Sequence, residues 1–324
     1  MRAIVYSEYG PPDVLRLAEV DKPSPKERQV LVKIRAASVN PLDWHSVRGE
    51  PRLMRVIGKP KNRTPGGDLA GQVEAVGAKV TQFHPGDEVF GTCYGTLAEY
   101  ACVKESRIVL KPAGLSFEQA AAIPVATYTA LQALRNKGRI RRGQSVLIVG
   151  AAGGVGTFAV QIAKALGGIV TGVCSTRNVD LVRSLGAAHV IDYTAEDFTR
   201  GERPYDLILQ VAGNYKVAEL KRVLADDGAL VVIGGGVGRD SADTGVLEVL
   251  DLLIRGNLFS LFARQRVLMF IAQPRASDLT FATELIAAGK LKPVIDRTYP
   301  LAAAAEALRY LEAGHARGKV IVVM

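Results

Sequence analysis

The sequence predicts an α/β protein in which a β-rich domain accompanies a doubly wound parallel sheet. From about residue 145 onward, short apolar strands alternate with helical patterns at the spacing of parallel strand–helix–strand units. Before residue 116 and beyond residue 290 the chain reads instead as short strands broken by Pro and Gly. A length of 324 residues suits two domains, because single cores rarely grow much beyond ~250 residues.

Residues 1–6 read as a strand. Across 29–36, Val30, Val32, Ile34 and Ala36 alternate with Leu31, Lys33 and Arg35, the pattern of a half-buried strand. Residues 71–80 and 87–91 form further short strands, separated by Gly77 and the turn His84-Pro85-Gly86-Asp87. Ser116-Phe117-Glu118-Gln119 is a capping box that opens a helix. Pro124 interrupts that run, and a second helix follows through Leu134. The parallel sheet then takes strands at 145–149, 169–174, 189–193, 206–211 and 229–233, with helices near 155–166, 179–185 and 215–224. The chain closes with a strand at 294–299, a helix at 301–311 and a strand at 319–323. No long linker precedes these elements, so they return to the first domain. The expected division is 1–122 with 290–324, and 123–289 between them.

Composition narrows the function classes. Apolar residues make up 48% and charged residues 23%, an ordinary globular balance. No uninterrupted apolar run of ~18 residues is present to span a membrane. The first residues lack the apolar core and cleavage site of a secretory signal, so a soluble cytoplasmic protein is expected. Three cysteines without a Cys-x-x-Cys pair exclude a disulfide framework and a tetrathiolate metal lobe. They read as buried small hydrophobes or plain thiols. The net charge of +9 is scattered, with short basic clusters at 59–63 and 139–142 and no aromatic-interleaved stripe. It fits a positive surface and an anionic ligand better than nucleic acid.

The densest motif is Ser145-Val146-Leu147-Ile148-Val149-Gly150-Ala151-Ala152-Gly153-Gly154-Val155-Gly156. A strand enters a glycine-rich turn that opens directly into a helix, whose Val155, Phe158, Ala159, Ile162, Ala163 and Leu166 form one buried face. Small residues let the backbone approach a pyrophosphate, and the N–H groups of the helix start receive its charge. Gly150, Ala152, Gly153, Gly154, Val155 and Gly156 are therefore dinucleotide-binding candidates.

An acidic residue at the end of the second strand would select NAD. Here Ser175-Thr176-Arg177-Asn178 follows, and no carboxylate precedes Asp180. A hydroxyl at Ser175 and a guanidinium at Arg177 suit the 2′-phosphate of NADPH, and Tyr193 adds a phenol. The alternative leaves Arg177 and Tyr193 as ordinary surface residues. Ala212, Gly213 and Gly234 end the fourth and fifth strands, where they border the cofactor or simply make turns.

Several ordered motifs carry a resemblance across nearly the whole chain. They are Met1-Arg2-Ala3 with Tyr9-Gly10 and Leu15, Ala37-Ser38-Val39-Asn40-Pro41-Leu42-Asp43, Pro65-Gly66-Gly67-Asp68-Leu69-Ala70-Gly71, and His84-Pro85-Gly86-Asp87-Glu88-Val89. Gly95-Thr96-Leu97-Ala98-Glu99-Tyr100, the glycine turn and Gly318-Lys319-Val320 complete the set. The chain resembles the zinc-independent quinone oxidoreductase (zeta-crystallin-like) branch of the medium-chain dehydrogenase/reductase superfamily. The resemblance implies a GroES-like β-rich domain built from both chain ends and a Rossmann domain between them. Zinc-dependent relatives carry Cys where this chain has Asn40, and Gly-His-Glu where it has Gly66-Gly67-Asp68. Zinc needs thiolate or imidazole ligands, so no metal site is expected.

The implied reaction is hydride transfer from NADPH to a quinone or an α,β-unsaturated carbonyl compound. By the same likeness Asn40 donates to the substrate carbonyl or orients the nicotinamide. His45 stands where some relatives carry tyrosine, and is either a proton source or a satisfied loop histidine. Asp43 ties down its loop, and Trp44 is core or cleft wall. Thr129 matches the family threonine that contacts the nicotinamide amide, with Thr127 as a competitor. Lys319 either approaches the cofactor or is a solvated lysine. A homodimer is implied, with residues 258–262 as a pairing edge or an interior strand. Two other functions remain open: an alkenal or enoyl double-bond reductase without quinone activity, and a non-catalytic NADPH-responsive RNA- or protein-binding protein.

Overall fold

The computed structural model describes residues 1–50, 55, 58, 60, 64–201, 204–213, 215–233 and 264–324. Gly234 and the 258–262 stretch lie outside the described residues. The chain divides into two units: Met1–Val125 with Pro274–Ala287 and Pro293–Met324, and Ala126–Gln273 with Ala288–Lys292.

Among its described residues the first unit is organised on the strand Gln29–Val39. The sheet runs Ile295–Pro300, Lys319–Val323, Gln29–Val39, Asp68–Val76, Glu88–Thr92 and Ile108–Leu110, and Tyr100–Lys104 also pairs with the central strand. Val30, Val32 and Ile34 are buried among Leu69, Val73, Val89, Val103 and Ile108. On the alternate face Lys33 and Arg35 are exposed as expected, but Leu31 is buried too. From Ala36 to Val39 every residue is buried, after a register shift between Ile34 and Ala36. Sequence alternation therefore loses the strand where both its faces are covered. Gly71 lies on the neighbouring strand, where a Cβ would stand 2.2 Å from the Lys33 carbonyl oxygen.

The last strand pairs antiparallel with the central one in the register Val320↔Val39. That pairing sets Lys319 beside the residue where the central strand ends, Asn40. Pro41–Arg48 follows as a helix that alternation analysis does not detect. Its Pro41 occupies the first turn, where a missing N–H costs nothing, and Gly49 ends it at φ 65°. The capping box at Ser116 is present: its Oγ accepts the Gln119 N–H at 3.2 Å, and its N–H donates to Gln119 Oε1 at 3.0 Å.

In the second unit the described strands, all parallel, are ordered His189–Asp192, Ile169–Cys174, Ser145–Val149, Tyr205–Gln210, Leu224–Ile233, Arg266–Phe270. In chain order this is third, second, first, fourth, fifth, sixth, the Rossmann arrangement. Val146–Val149 are buried throughout, as a sheet covered on both faces requires. The expected one-sided burial of the helix Gly154–Ala165 is corrected: Gly156 through Ala163 are all buried. One contact on the side that the sequence left to solvent is Gln161, whose Nε2 donates to the Lys292 carbonyl at 3.0 Å while its Oε1 accepts the Lys292 N–H at 2.8 Å. The sixth strand was absent from the sequence reading, and the fifth begins at Leu224 rather than 229.

Candidate functional site

The glycine turn of the second unit is built to keep backbone close to backbone. Gly150 has φ 84°, and a Cβ there would come within 2.8 Å of the Ala212 Cβ. A Cβ on Gly156 would lie 2.0 Å from the Gly150 carbonyl oxygen. Gly153 is the N-cap, and the first helical bond runs from the Thr157 N–H to its carbonyl oxygen at 2.9 Å. The N–H groups of Gly154, Val155 and Gly156 therefore have no intrahelical acceptor. The helix dipole adds positive potential at the same place. Ala152 is buried within the turn. Gly213 follows Ala212 at φ 96°, held by Gln210 Nε2 donating to its carbonyl at 3.0 Å.

At the neighbouring strand ends, Asp192 and Cys174 are register partners. The Tyr193 N–H donates to the Cys174 carbonyl at 3.1 Å, so Tyr193 stands across from Ser175. Arg177 lies exposed on the short 3-10 turn Thr176–Asn178. Tyr193 is also exposed and walls an open depression of about 450 Å³ shared with Thr194 and Tyr215. A carboxylate that sequence reading missed sits here as well. Asp192 accepts the Thr194 hydroxyl at 2.7 Å and the Thr194 N–H at 2.9 Å. The hydroxyls of Thr176 and then Thr194 hold its carboxyl below the usual range.

The first unit holds a different kind of cluster. Asp68 is fully buried, and its Oδ2 accepts from Ser38 Oγ at 2.7 Å, Asn40 Nδ2 at 2.9 Å and Lys319 Nζ at 3.3 Å. Its Oδ1 accepts the Val125 N–H at 3.0 Å, in the first turn of the helix Pro124–Leu131. Asn40 Oδ1 accepts from Lys319 Nζ at 2.5 Å. Lys319 is 3% exposed, which rules out the solvated lysine. The Asn40 carboxamide is likewise engaged at both ends inside the protein. Asp43 takes the Asn40 N–H at 2.7 Å, which ties down the turn as expected. Burial pushes its carboxyl up to about 7, against the pull of that N–H and with a further push from Asp68.

These residues do not fit zinc. Position 40 offers an amide already bonded to an ammonium, and the carboxylate at Asp68 is paired with the same ammonium. Gly67 supplies no side chain, although a Cβ there would meet only ordinary contacts at 3.6 Å and beyond. Cysteine does not compensate. Burial pushes the thiol of Cys93 up to about 12 and that of Cys174 to about 11, and all three cysteines are free.

His45 lies on the helix Pro41–Arg48, not on a loop. Its Nδ1 meets Glu50 Oε2 at 2.8 Å, and its ring stacks on Trp44 with centroids 3.6 Å apart. Trp44 itself packs against the cluster of Ile4, Val47 and Leu308. Thr129 and Thr127 are both buried on the helix Pro124–Leu131, and the Thr127 hydroxyl has no partner among the described residues. Ser38, Glu50, Asp68, Asn178 and Asp192 escaped the sequence reading as site residues. Only Asp68 carried a signal, its place in Gly66-Gly67-Asp68.

Comparison with known proteins places the chain in a family. Residues 26–113 match the alcohol dehydrogenase GroES-like domain family, and residues 185–322 match the family described as zinc-binding dehydrogenase. A quinone oxidoreductase of Lama guanicoe is 35% identical, covering 100% of this chain and 98% of its own length. A chloroplastic NADPH-dependent alkenal/one oxidoreductase of Arabidopsis thaliana is 34% identical over 99% of this chain and 79% of its own. The solved structure of the quinone oxidoreductase from Coxiella burnetii superposes with a TM-score of 0.83 at 31% identity, covering 100% and 99% of the two chains. The expected combination of a GroES-like and a Rossmann domain therefore holds. The chain belongs to the quinone oxidoreductase branch of the medium-chain dehydrogenase/reductase superfamily.

Proposed function

We propose that this chain is an NADPH-dependent reductase that delivers hydride to quinones or α,β-unsaturated carbonyl compounds without zinc. The observation that carries the reading is the exit of the second parallel strand. Ser175 and Arg177 stand there, with Tyr193 opposite; the second strand itself ends without a carboxylate, and Asp192 on the neighbouring strand is already engaged by the hydroxyls of Thr176 and Thr194. Arg177, Ser175 and Tyr193 hold the 2′-phosphate through charge-assisted hydrogen bonds. The N–H groups of Gly154, Val155 and Gly156 hold the pyrophosphate, with Gly150, Ala152 and Gly153 admitting its approach and Ala212 and Gly213 at the border. Thr129 binds the nicotinamide amide.

When bound, the reduced nicotinamide supplies the hydride, and the protein supplies orientation. Hydride accepted by a quinone or an enone leaves negative charge on a carbonyl oxygen, which a positioned donor stabilises. His45 is the candidate proton source: Glu50 fixes Nδ1 and leaves Nε2 for the exchangeable proton. Asn40 acts by position rather than by direct donation, because Lys319 and Asp68 already engage its carboxamide. The ammonium of Lys319 stands beside the carboxylate that a metal would need, which supports zinc-free chemistry. The same reading makes the enzyme a cytoplasmic homodimer, with a solution mass near twice 34.6 kDa.

The test is a side-by-side assay of NADPH oxidation with a naphthoquinone, a phenanthrenequinone and a medium-chain alkenal, with and without a zinc chelator. Reduction of at least one acceptor class, unchanged by chelation, is expected. Background rates with all three, or activity that returns only with added zinc, would overturn the proposal.

A further inference from the structure

Asn178 closes the 3-10 turn after the second strand of the parallel sheet and stands at the N-cap of the helix Val179–Ser184. Its backbone is already helical (φ −111°, ψ −3°), continuing the turn that Ser175 opens in extended geometry, and its side chain caps no N–H of the helix. Its Nδ2 donates instead to Ser175 Oγ at 3.2 Å. Its Oδ1 is buried with no hydrogen-bond partner among the described residues. A buried acceptor left unpaired is costly, and native proteins keep few of them without a reason. The gain is at Ser175. A hydroxyl oxygen that accepts from an amide has one lone pair engaged, and its own proton remains free to donate outward.

We propose that Asn178 is a positioning residue for cofactor choice, holding the Ser175 hydroxyl as a donor toward the 2′-phosphate of NADPH. The inference rests on the NADPH reading above. NADH has no phosphate at this place, so the contribution of Asn178 is confined to the phosphorylated cofactor. A residue that merely stabilised the turn would affect both cofactors alike.

The experiment compares kcat/KM and Kd for NADPH and NADH in the full-length protein and in Asn178→Ala, Asn178→Asp and Arg177→Ala. Asn178→Ala removes the amide donor and should lower the NADPH/NADH ratio about fivefold, the scale of one neutral hydrogen bond. Asn178→Asp keeps the side-chain shape but draws the Ser175 proton onto a carboxylate and sets negative charge beside the phosphate. Its ratio should fall by about tenfold or more, the scale of a charge-assisted bond. NADH kinetics should stay as in the parent for Asn178→Ala, and should hold or improve for Asn178→Asp, whose carboxylate can accept from the ribose 2′-hydroxyl. Parallel losses with the two cofactors, or an unchanged ratio in Asn178→Asp, would overturn the inference. Should Asn178→Ala fail to fold, Asn178→Asp decides alone. Arg177→Ala separates the two levels: an unchanged ratio there sinks the NADPH reading itself. A shifted ratio there beside an unchanged one in Asn178→Asp sinks only the role of Asn178.

Discussion

In the second unit the proposed pyrophosphate-binding groups are neighbours in sequence and stand open at a strand end and a helix start. In the first unit the polar groups come from distant segments and close upon one another. Gly150 to Gly156 form one continuous turn whose shape follows from residues too small to clash. Lys319 and Asn40 are 279 positions apart and meet only because their strands pair in register. An open turn is ready to exchange water for an anion. A closed network has spent its donors and acceptors on itself and therefore acts by fixing geometry. Substitutions in the two regions should accordingly fail in different ways.

The largest effect is expected in the closed network. Lys319→Met leaves the Asp68 carboxylate buried and unpaired, which should cost about 3–5 kcal/mol of stability, read as a lowered denaturant midpoint. Adding Asp68→Asn should restore most of that loss, because the charge then needs no partner. A double variant no more stable than the single one would contradict the ion pair.

Arg177→Ala inverts that pattern. Stability should hardly change, since the residue is exposed. The NADPH/NADH ratio in kcat/KM should fall about tenfold or more, the scale of one lost charge-assisted hydrogen bond. Gly156→Ala sits between these cases. Its Cβ would press on the Gly150 carbonyl, so about 1–3 kcal/mol of stability and NADPH affinity should be lost together. Retained affinity, measured by fluorescence titration, would separate the turn from the cofactor.

The smallest effect is a pH dependence in the first unit. Burial raises the Asp43 carboxyl from 3.8 to about 7, with Asp68 and Lys319 facing it. The folded state then holds a proton that the unfolded chain releases. Stability drawn from this group is full below pH 3.8 and is lost as pH rises through about 7. Between pH 6 and 7 the loss should be about 1 kcal/mol, and Asp43→Asn should abolish it. Identical pH profiles of the denaturant midpoint for parent and variant would contradict that account.

What was legible in the sequence follows the same contrast. The first five parallel strands, the glycine turn and the Ser116 capping box were readable because each depends on residues within a few positions. The burial of Gln161 on the helix after the turn was not, because its partner Lys292 lies 131 positions away. The burial of Lys319 was equally hidden, since a lysine in a terminal strand carries no local mark of its partners. Asn178 and Asp192 were passed over for a third reason. Residue type announced only a polar turn, and the hydrogen-bond direction that gives each a role exists only in the folded chain.

Isothermal calorimetry of metal-stripped protein, titrated in turn with NADPH and NADH, tests the central claim most directly. Saturable heat with NADPH at a Kd clearly below that for NADH is the predicted result. No heat with NADPH, or equal affinity for the two dinucleotides, would contradict it.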